Sequence, residues 1–310
     1  MRELKILVVV IFFSLVTYWL VEPYAHSQMH KHVESEGFEY KNLPEVAKGD
    51  ATAGEGLVMS NCIACHSIES KGMAAPMDAV TSSASYGVNP PDLSNAGAIY
   101  DAKFLAAFIK DPASASQVAH KFADGTKSHP MPGYAWMSEG DIANMVAYLQ
   151  SIAKKDLTEK EVFVDACGRC HAARYDGKVI GEKWTQIGQK PKFKYEKDSL
   201  AFDIKVLEYQ DNLKKYMGKL PPDLSIIIRA RSHNFLETFI ENPQTQLEGT
   251  AMPAVGLTKD SFHKVMQHLE NIGDPSAKDR AAYGPWFLLY MVIFTILATL
   301  WKKSVWKKLH

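Results

Sequence analysis

Two apolar runs free of charged residues bracket the chain, and hydrophobic positions between them recur with helical spacing. The first run, Ile6 to Val21, follows Arg2 and Lys5; Tyr18 and Trp19 lie near its far end and Tyr24 just beyond. Basic residues before a span and interfacial aromatics after it predict a transmembrane helix with its N-terminus in the cytoplasm. Its 16 residues reach about 24 Å against ~30 Å of hydrocarbon, a gap that snorkelling and local thinning can close. Pro23 and Ala25 make a poor cleavage site, so segment 1–25 is expected to remain as an anchor. The second run, Trp286 to Trp301, opens at Pro285, a residue suited to the first helical position. Lys302, Lys303, Lys307 and Lys308 follow it and belong on the cytoplasmic side. A second anchor over 283–301 and a cytoplasmic tail, 302–310, are therefore expected. Both termini then face the cytoplasm, and the intervening chain lies on the opposite, periplasmic side of a bacterial inner membrane.

Between the anchors the pattern divides in two. Residues 26–47 are polar, without periodicity, and read as a tether; His26, His30 and His32 are incidental linker histidines. Residues 48–153 read as a compact helical unit. One helix leads into Cys62, and another spans Ala102 to Lys110 behind Asp101 as N-cap, stopping at Asp111-Pro112. A third starts at Ser138, with Asp141 as capping-box partner and Ile142, Met145, Val146 and Leu149 on one stripe. Thr158 and Glu161 form another capping box, so 154–157 is the natural linker and 158–273 the second unit.

The second unit repeats the first. Pro90-Pro91-Asp92-Leu93-Ser94 recurs as Pro221-Pro222-Asp223-Leu224-Ser225, Phe104–Ile109 as Phe235–Ile240, and Met131-Pro132 as Met252-Pro253. An insertion within 174–219, rich in lysine and aromatic residues, separates the parts of the second copy and reads as a docking surface, a lipid-facing collar or a solvated excursion.

The candidate chemistry lies in Cys62-Ile63-Ala64-Cys65-His66 and Cys167-Gly168-Arg169-Cys170-His171, which consume all four cysteines. C-x-x-C-H is the attachment signature of c-type haem: two thiols on one helical turn form thioethers, and the next residue offers an imidazole to the iron. A shared zinc site would place the pairs closer than 105 residues apart. A thioredoxin-like pair needs a βαβ context that neither motif has. Two covalently attached haem c groups are expected. Methionine opposite histidine closes the iron's coordination shell and makes an electron carrier. Met131 and Met252, each before proline in equivalent repeat positions, are the chosen sixth ligands. Met137, His129, His263, Met266 and His268 are the alternatives, the helix-borne ones on packed stripes. The carbonyls of Pro91 and Pro222 are expected to fix the other ring nitrogen of His66 and His171. Arg229 and Arg231 are candidates to neutralise propionates. Lysine plus arginine and aspartate plus glutamate number 35 each, so nothing suggests nucleic-acid binding. The expected fold is all-α: two tandem cytochrome c-like haem domains flanked by N- and C-terminal transmembrane helices.

Leu220-Pro221-Pro222-Asp223-Leu224-Ser225 followed by Arg229-Ala230-Arg231, with the C-terminal Trp-Lys-Lys, resembles cytochrome c1, the haem subunit of the cytochrome bc1 complex. Two motifs and an N-terminal anchor depart from the single-haem form and are similar to the dihaem version of epsilon-class proteobacteria. The resemblance implies His66, His171, Met131 and Met252 as axial ligands. It implies as partners a cytochrome b subunit, a Rieske iron–sulfur subunit, and a soluble cytochrome c or terminal oxidase, besides the lipid bilayer. The alternatives are a dihaem subunit of a haem–copper oxidase, against which the C-terminal span counts, and a dihaem peroxidase, against which the two methionines count. Residues 48–153 carry six basic and ten acidic residues, a net of −4; residues 158–273 carry seventeen and sixteen, a net of +1. An acidic first unit would steer a basic soluble cytochrome, which makes it the expected exit side.

Overall fold

In the computed structural model, which describes residues 2–29, 35–175 and 183–309, the chain is almost wholly helical. Helix α1 (Arg2–Val16) runs through a wide π turn (Thr17–Val21) into α2 (Glu22–Met29). Proline removes one i→i−4 bond and crowds the carbonyl four residues back, and a π turn just before Pro23 accommodates both. Arg2–Ala25 is thus 24 residues of helix, long and apolar enough to cross a membrane. At 1.5 Å per residue that is about 36 Å, so the shortfall expected from the apolar run alone disappears.

The first unit is built from α3 (Ala51–Asn61), α4 (Ala79–Tyr86), α5 (Ala102–Lys110) and α6 (Glu139–Ile152). Side chains of Asp50, Asp78, Asp101 and Ser138 accept backbone N–H groups at their four N-termini, satisfying donors that a helix cannot pair internally. Helices α3 and α6 cross closely because residue 54 is glycine; a Cβ there would lie 1.9 Å from the Asn144 carbonyl oxygen. Val58, Ile68, Met145 and Val146 close the core beneath that crossing.

The second unit follows the same plan. Helix α7 (Glu159–Cys167) opens on the Thr158–Glu161 capping box, with both reciprocal bonds present. Short strands β1 (Trp184–Thr185) and β2 (Gly188–Gln189) pair as an antiparallel hairpin too small to change the all-α class. Helices α8 (Glu196–Met217), α9 (His233–Glu241) and α10 (Lys259–Gly273) follow. The motif-bearing helix again packs on the last helix of its unit, with the Phe163 and His268 rings 4.7 Å apart.

Four sequence expectations change. Phe38 and Tyr40, in the supposed tether, are buried in the second unit's core, and Phe38 stacks on Phe262 with ring centroids 4.7 Å apart. Burying two large aromatic side chains gains about 2–3 kcal/mol each, enough to order a short polar segment. His30 and His32 lie outside the described residues. Leu157, in the expected linker, is likewise part of that core, so the two units are lobes of one body. The insertion is a brace rather than an excursion: its α8 packs on α4 of the first lobe, with Tyr209 and Leu213 fully buried. Finally, Pro285 does not begin the C-terminal helix. Helix α11 (Ala277–Leu309) starts eight residues earlier, with Pro285 inside it. Helix-favouring Ala277, Lys278, Arg280, Ala281 and Ala282 extend the helix upstream, and Arg280 Nη1 donates to Asp274 Oδ1 at 2.7 Å, fixing its start to the end of α10. Ala277–Lys307 is also long and apolar enough to cross a membrane. Lys302 Nζ lies 3.9 Å from Glu3 Oε2, joining the far end of α11 to the beginning of α1.

Candidate haem sites

Helix α3 ends at Asn61, so Cys62 caps it and the chain turns tightly through the motif, with Cys65 and His66 both donating backbone N–H to the Cys62 carbonyl at 3.1 and 3.0 Å. In the second lobe Cys170 and His171 donate to the Cys167 carbonyl at 3.1 and 2.9 Å. None of the four cysteines is tied up in a disulfide, so all four are available for thioether attachment. Before attachment, burial pushes the Cys62 thiol up to about 11 and the Cys167 thiol up to about 12.

Each histidine is held the same way. His66 Nδ1–H donates to the Pro91 carbonyl at 2.8 Å, and His171 Nδ1–H to the Pro222 carbonyl at 2.8 Å. A carbonyl can only accept, so Nδ1 carries the proton and Nε2 keeps its lone pair free for a metal. Both imidazoles lie below the ordinary histidine range, chiefly through burial, and the proline hydrogen bonds oppose that fall.

The proline loops are fixed by a nest of hydrogen bonds present twice. In the first lobe Leu93 N–H donates to the Ser67 carbonyl at 2.9 Å. Glu69 N–H and Ser94 N–H donate to the Asp92 carboxylate at 2.9 and 3.0 Å, and Ser70 N–H donates to Ser94 Oγ at 2.9 Å. In the second, Leu224 N–H donates to the Ala172 carbonyl at 2.9 Å. Arg174 N–H and Ser225 N–H donate to Asp223 at 3.1 and 2.8 Å, and Tyr175 N–H to Ser225 Oγ at 3.0 Å. Each of these four backbone N–H bonds in one nest has its counterpart in the other. The aspartates and serines, present in both copies of the sequence, were readable only as turn residues; their bonds to the turn after each histidine give them a role.

Cys62 and Met131 pack against one core, and the Met131 N–H donates to His129 Nδ1 at 3.2 Å. Met137 is buried, as are Met266 and His268, while His263 is exposed. Met252 is half-buried in a loop hung on the first lobe: Ala254 N–H donates to the Ser116 carbonyl at 2.9 Å and Thr258 N–H to the Ile99 carbonyl at 3.0 Å. Reciprocally, Tyr209 of the second lobe accepts the N–H of Asn89, next to the first proline pair, at 3.2 Å. Arg229 and Arg231 are both exposed; Arg229 faces the Asp274 carboxylate and Arg231 lies 5.2 Å over the Phe235 ring.

Paired thiols at a helix end, an imidazole with a locked tautomer and a methionine on the same core suit an iron porphyrin attached through its vinyl groups. Among the described residues no three His, Cys, Asp or Glu side chains gather to hold a bare ion. Such a site defines a haem-carrying protein of the c type. Residues 51–153 match the cytochrome c family. Cytochrome c of Tetrahymena pyriformis is 31% identical over 115 residues, which is 35% of this chain and 96% of that protein. The chain belongs to the cytochrome c family, and it carries covalently bound haem c. A chain of a hyperthermophilic respiratory Complex III is 25% identical, covering 49% of this chain and 75% of that one, with a TM-score of 0.34, too low to speak for a shared arrangement.

Proposed function

We propose that this protein is a membrane-anchored dihaem c-type cytochrome that carries electrons from the Rieske iron–sulfur subunit of a quinol–cytochrome c oxidoreductase to a soluble cytochrome c or a terminal oxidase. The observation that carries the dihaem reading is the duplicated nest: His171, Pro222, Asp223 and Ser225 reproduce the bonds of His66, Pro91, Asp92 and Ser94. A decayed copy would have no reason to keep that geometry.

Cys62 and Cys65 would hold one haem and Cys167 and Cys170 the other, with His66 and Met131, and His171 and Met252, as axial ligands. Bound haem c supplies reversible one-electron chemistry. The chain's own part is to hold each imidazole in one tautomer through Pro91 or Pro222, to close the opposite face with a thioether sulfur, and to exclude water from both. Closed coordination leaves no position for peroxide, which favours a carrier over a peroxidase. The two terminal helices, with Arg2 and Lys5 at one end and Lys302, Lys303 and Lys307 at the other, support an inner-membrane protein with periplasmic lobes and cytoplasmic termini. The Glu3–Lys302 contact is consistent with both ends lying on one side. The partners rest on the Leu220–Ser225 and Arg229–Arg231 resemblance to cytochrome c1, and a cytochrome b subunit completes that set.

Purification from membranes with haem staining tests the proposal. Two haems per chain, co-purifying with cytochrome b and Rieske subunits, are expected. Copper-containing oxidase subunits in their place would overturn the assignment to a quinol oxidoreductase, and one haem per chain would overturn the dihaem reading.

A further inference from the structure

The two proline loops are reached by equivalent helices, and those helices touch. Helix α4 ends at Tyr86 and α8 at Met217, each on a left-handed glycine, Gly87 at φ +82° and Gly218 at φ +86°. Gly87-Val88-Asn89-Pro90-Pro91 and Gly218-Lys219-Leu220-Pro221-Pro222 then carry the chain from each helix to the carbonyl that holds a histidine. Helix α8 packs on α4. Its residues 209, 212 and 216, spaced i, i+3 and i+7 along one face, grip the end of α4 and the loop beyond it. Asn212 Nδ2 donates to Ser83 Oγ at 3.1 Å. The Tyr216 ring fills the notch beside Gly87, where a Cβ would lie 2.4 Å from its Cγ, and Lys121 Nζ of the first lobe lies 4.3 Å from the ring centroid. Tyr209, fully buried, accepts the N–H of Asn89 at 3.2 Å, two residues before Pro91. Its own proton goes to the Arg169 carbonyl at 2.8 Å, between Cys167 and Cys170. Turning the phenol away from one lobe therefore breaks its bond to the other.

We propose that Tyr209 is a positioning residue for the first haem site: reaching across from the second lobe, it holds the loop whose Pro91 carbonyl orients the His66 ring. The hydrogen bond from His66 Nδ1–H to Pro91 strengthens the ring as an electron donor at Nε2. A stronger donor favours ferric over ferrous iron, so a firmly held loop keeps the first site's reduction potential low and a slack loop lets it rise. The second loop needs no such reach, because Gly218 at the end of α8 leads directly into Pro221 and Pro222. One helix thus serves both histidines, the second through its own continuation and the first across the seam.

The inference rests on the dihaem reading, and the experiment separates the two. The full-length protein is purified as wild type, Tyr209→Phe and Asn212→Ala, and haem per chain is counted by its alkaline pyridine spectrum. Each preparation is then titrated potentiometrically, the first-site wave being the one displaced in a Met131→His protein. Tyr209→Phe keeps the ring and removes the bridge. It is expected to raise the reduced-to-oxidised ratio of the first site roughly threefold at a fixed ambient potential, about 30 mV at about 59 mV per tenfold change. The second wave is expected to stay in place, and hydrogen–deuterium exchange of the peptide carrying Asn89 to speed up. Asn212→Ala, which removes the bond to Ser83 and touches nothing in the second motif, is expected to raise the first wave by a smaller amount. It keeps the proposal testable should the phenylalanine variant fail to fold. Two haems per chain and faster exchange at Asn89 with an unmoved first wave would overturn the role of Tyr209 alone. Equal displacement of both waves would also overturn it, as a general loosening of the fold. A single haem per chain would overturn the reading beneath it.

Discussion

Tyr209 donates its hydroxyl proton to the Arg169 carbonyl at 2.8 Å, and the same oxygen accepts the Asn89 N–H at 3.2 Å. One fully buried phenol thus bridges the second attachment motif and the first proline loop. Removing that oxygen leaves a donor and an acceptor without partners, at a cost of about 1–3 kcal/mol. Tyr209→Phe, with shape conserved, is expected to lower the urea midpoint accordingly without altering the slope of the transition. Equal stability for the two proteins would mean that water replaces the bridge.

The seam between the lobes also fixes a glycine. Gly256 has φ +75°, and a Cβ there would lie 1.9 Å from the Phe104 ring, in a segment whose carbonyl accepts the Asp101 N–H at 2.9 Å. Gly256→Ala combines backbone strain with overpacking, and a loss of about 2–4 kcal/mol is expected in chemical denaturation. Gly249, with the same φ of +75° but open space around it, supplies the comparison. Gly249→Ala should lose only the strain, about 1–2 kcal/mol. Similar losses at both positions would show that Phe104 moves aside.

The capping box at the start of α7 gives the second lobe an acid-sensitive element. Hydrogen bonds from Lys154 and from Thr158 hold the Glu161 carboxyl down at about 2, below its ordinary 4.5. A depressed carboxyl stabilises the fold above its unfolded value, and that contribution fades as pH falls from about 4.5 towards about 2. The group is largely exposed, so solvent reduces the effect. Glu161→Gln is expected to flatten the wild-type slope of stability against pH in that window and leave the slope above pH 6 unchanged. Thr158→Ala should cost about 1 kcal/mol at neutral pH through the lost cap.

Ligand assignments are tested by opening one coordination position at a time. Met131→Ala and Met252→Ala are each expected to give a protein in which one haem of two takes up carbon monoxide in the reduced state, seen as a shifted Soret band, while the wild type takes up none. An unchanged spectrum for either variant would move the sixth ligand of that lobe elsewhere, with His129 first in line beside Met131.

Much of the architecture was legible because its determinants are local. N-caps at Asp101, Ser138 and Thr158 act within three residues, and the structure starts the helices there. The repeat could be found because the proline loop and the amphipathic helix after it return in the same order. Pro285 misled for the complementary reason: first-turn preference is a statistical property of proline, and the neighbouring alanines outweighed it.

By itself, then, the sequence determined an all-helical chain with two C-x-x-C-H motifs, two apolar spans and a proline loop for each histidine, because each of these is written in residues a few positions apart. Only the tertiary structure decided that Phe38 and Tyr40 join the second lobe, that α8 crosses to the first, and that Tyr209 reaches Asn89. Those contacts join residues up to more than two hundred positions apart, as Tyr40 meets the Leu257 carbonyl at 2.9 Å. Burial chooses such partners by shape and by the need to satisfy each polar group left inside, and neither condition exists until the lobes have closed on one another.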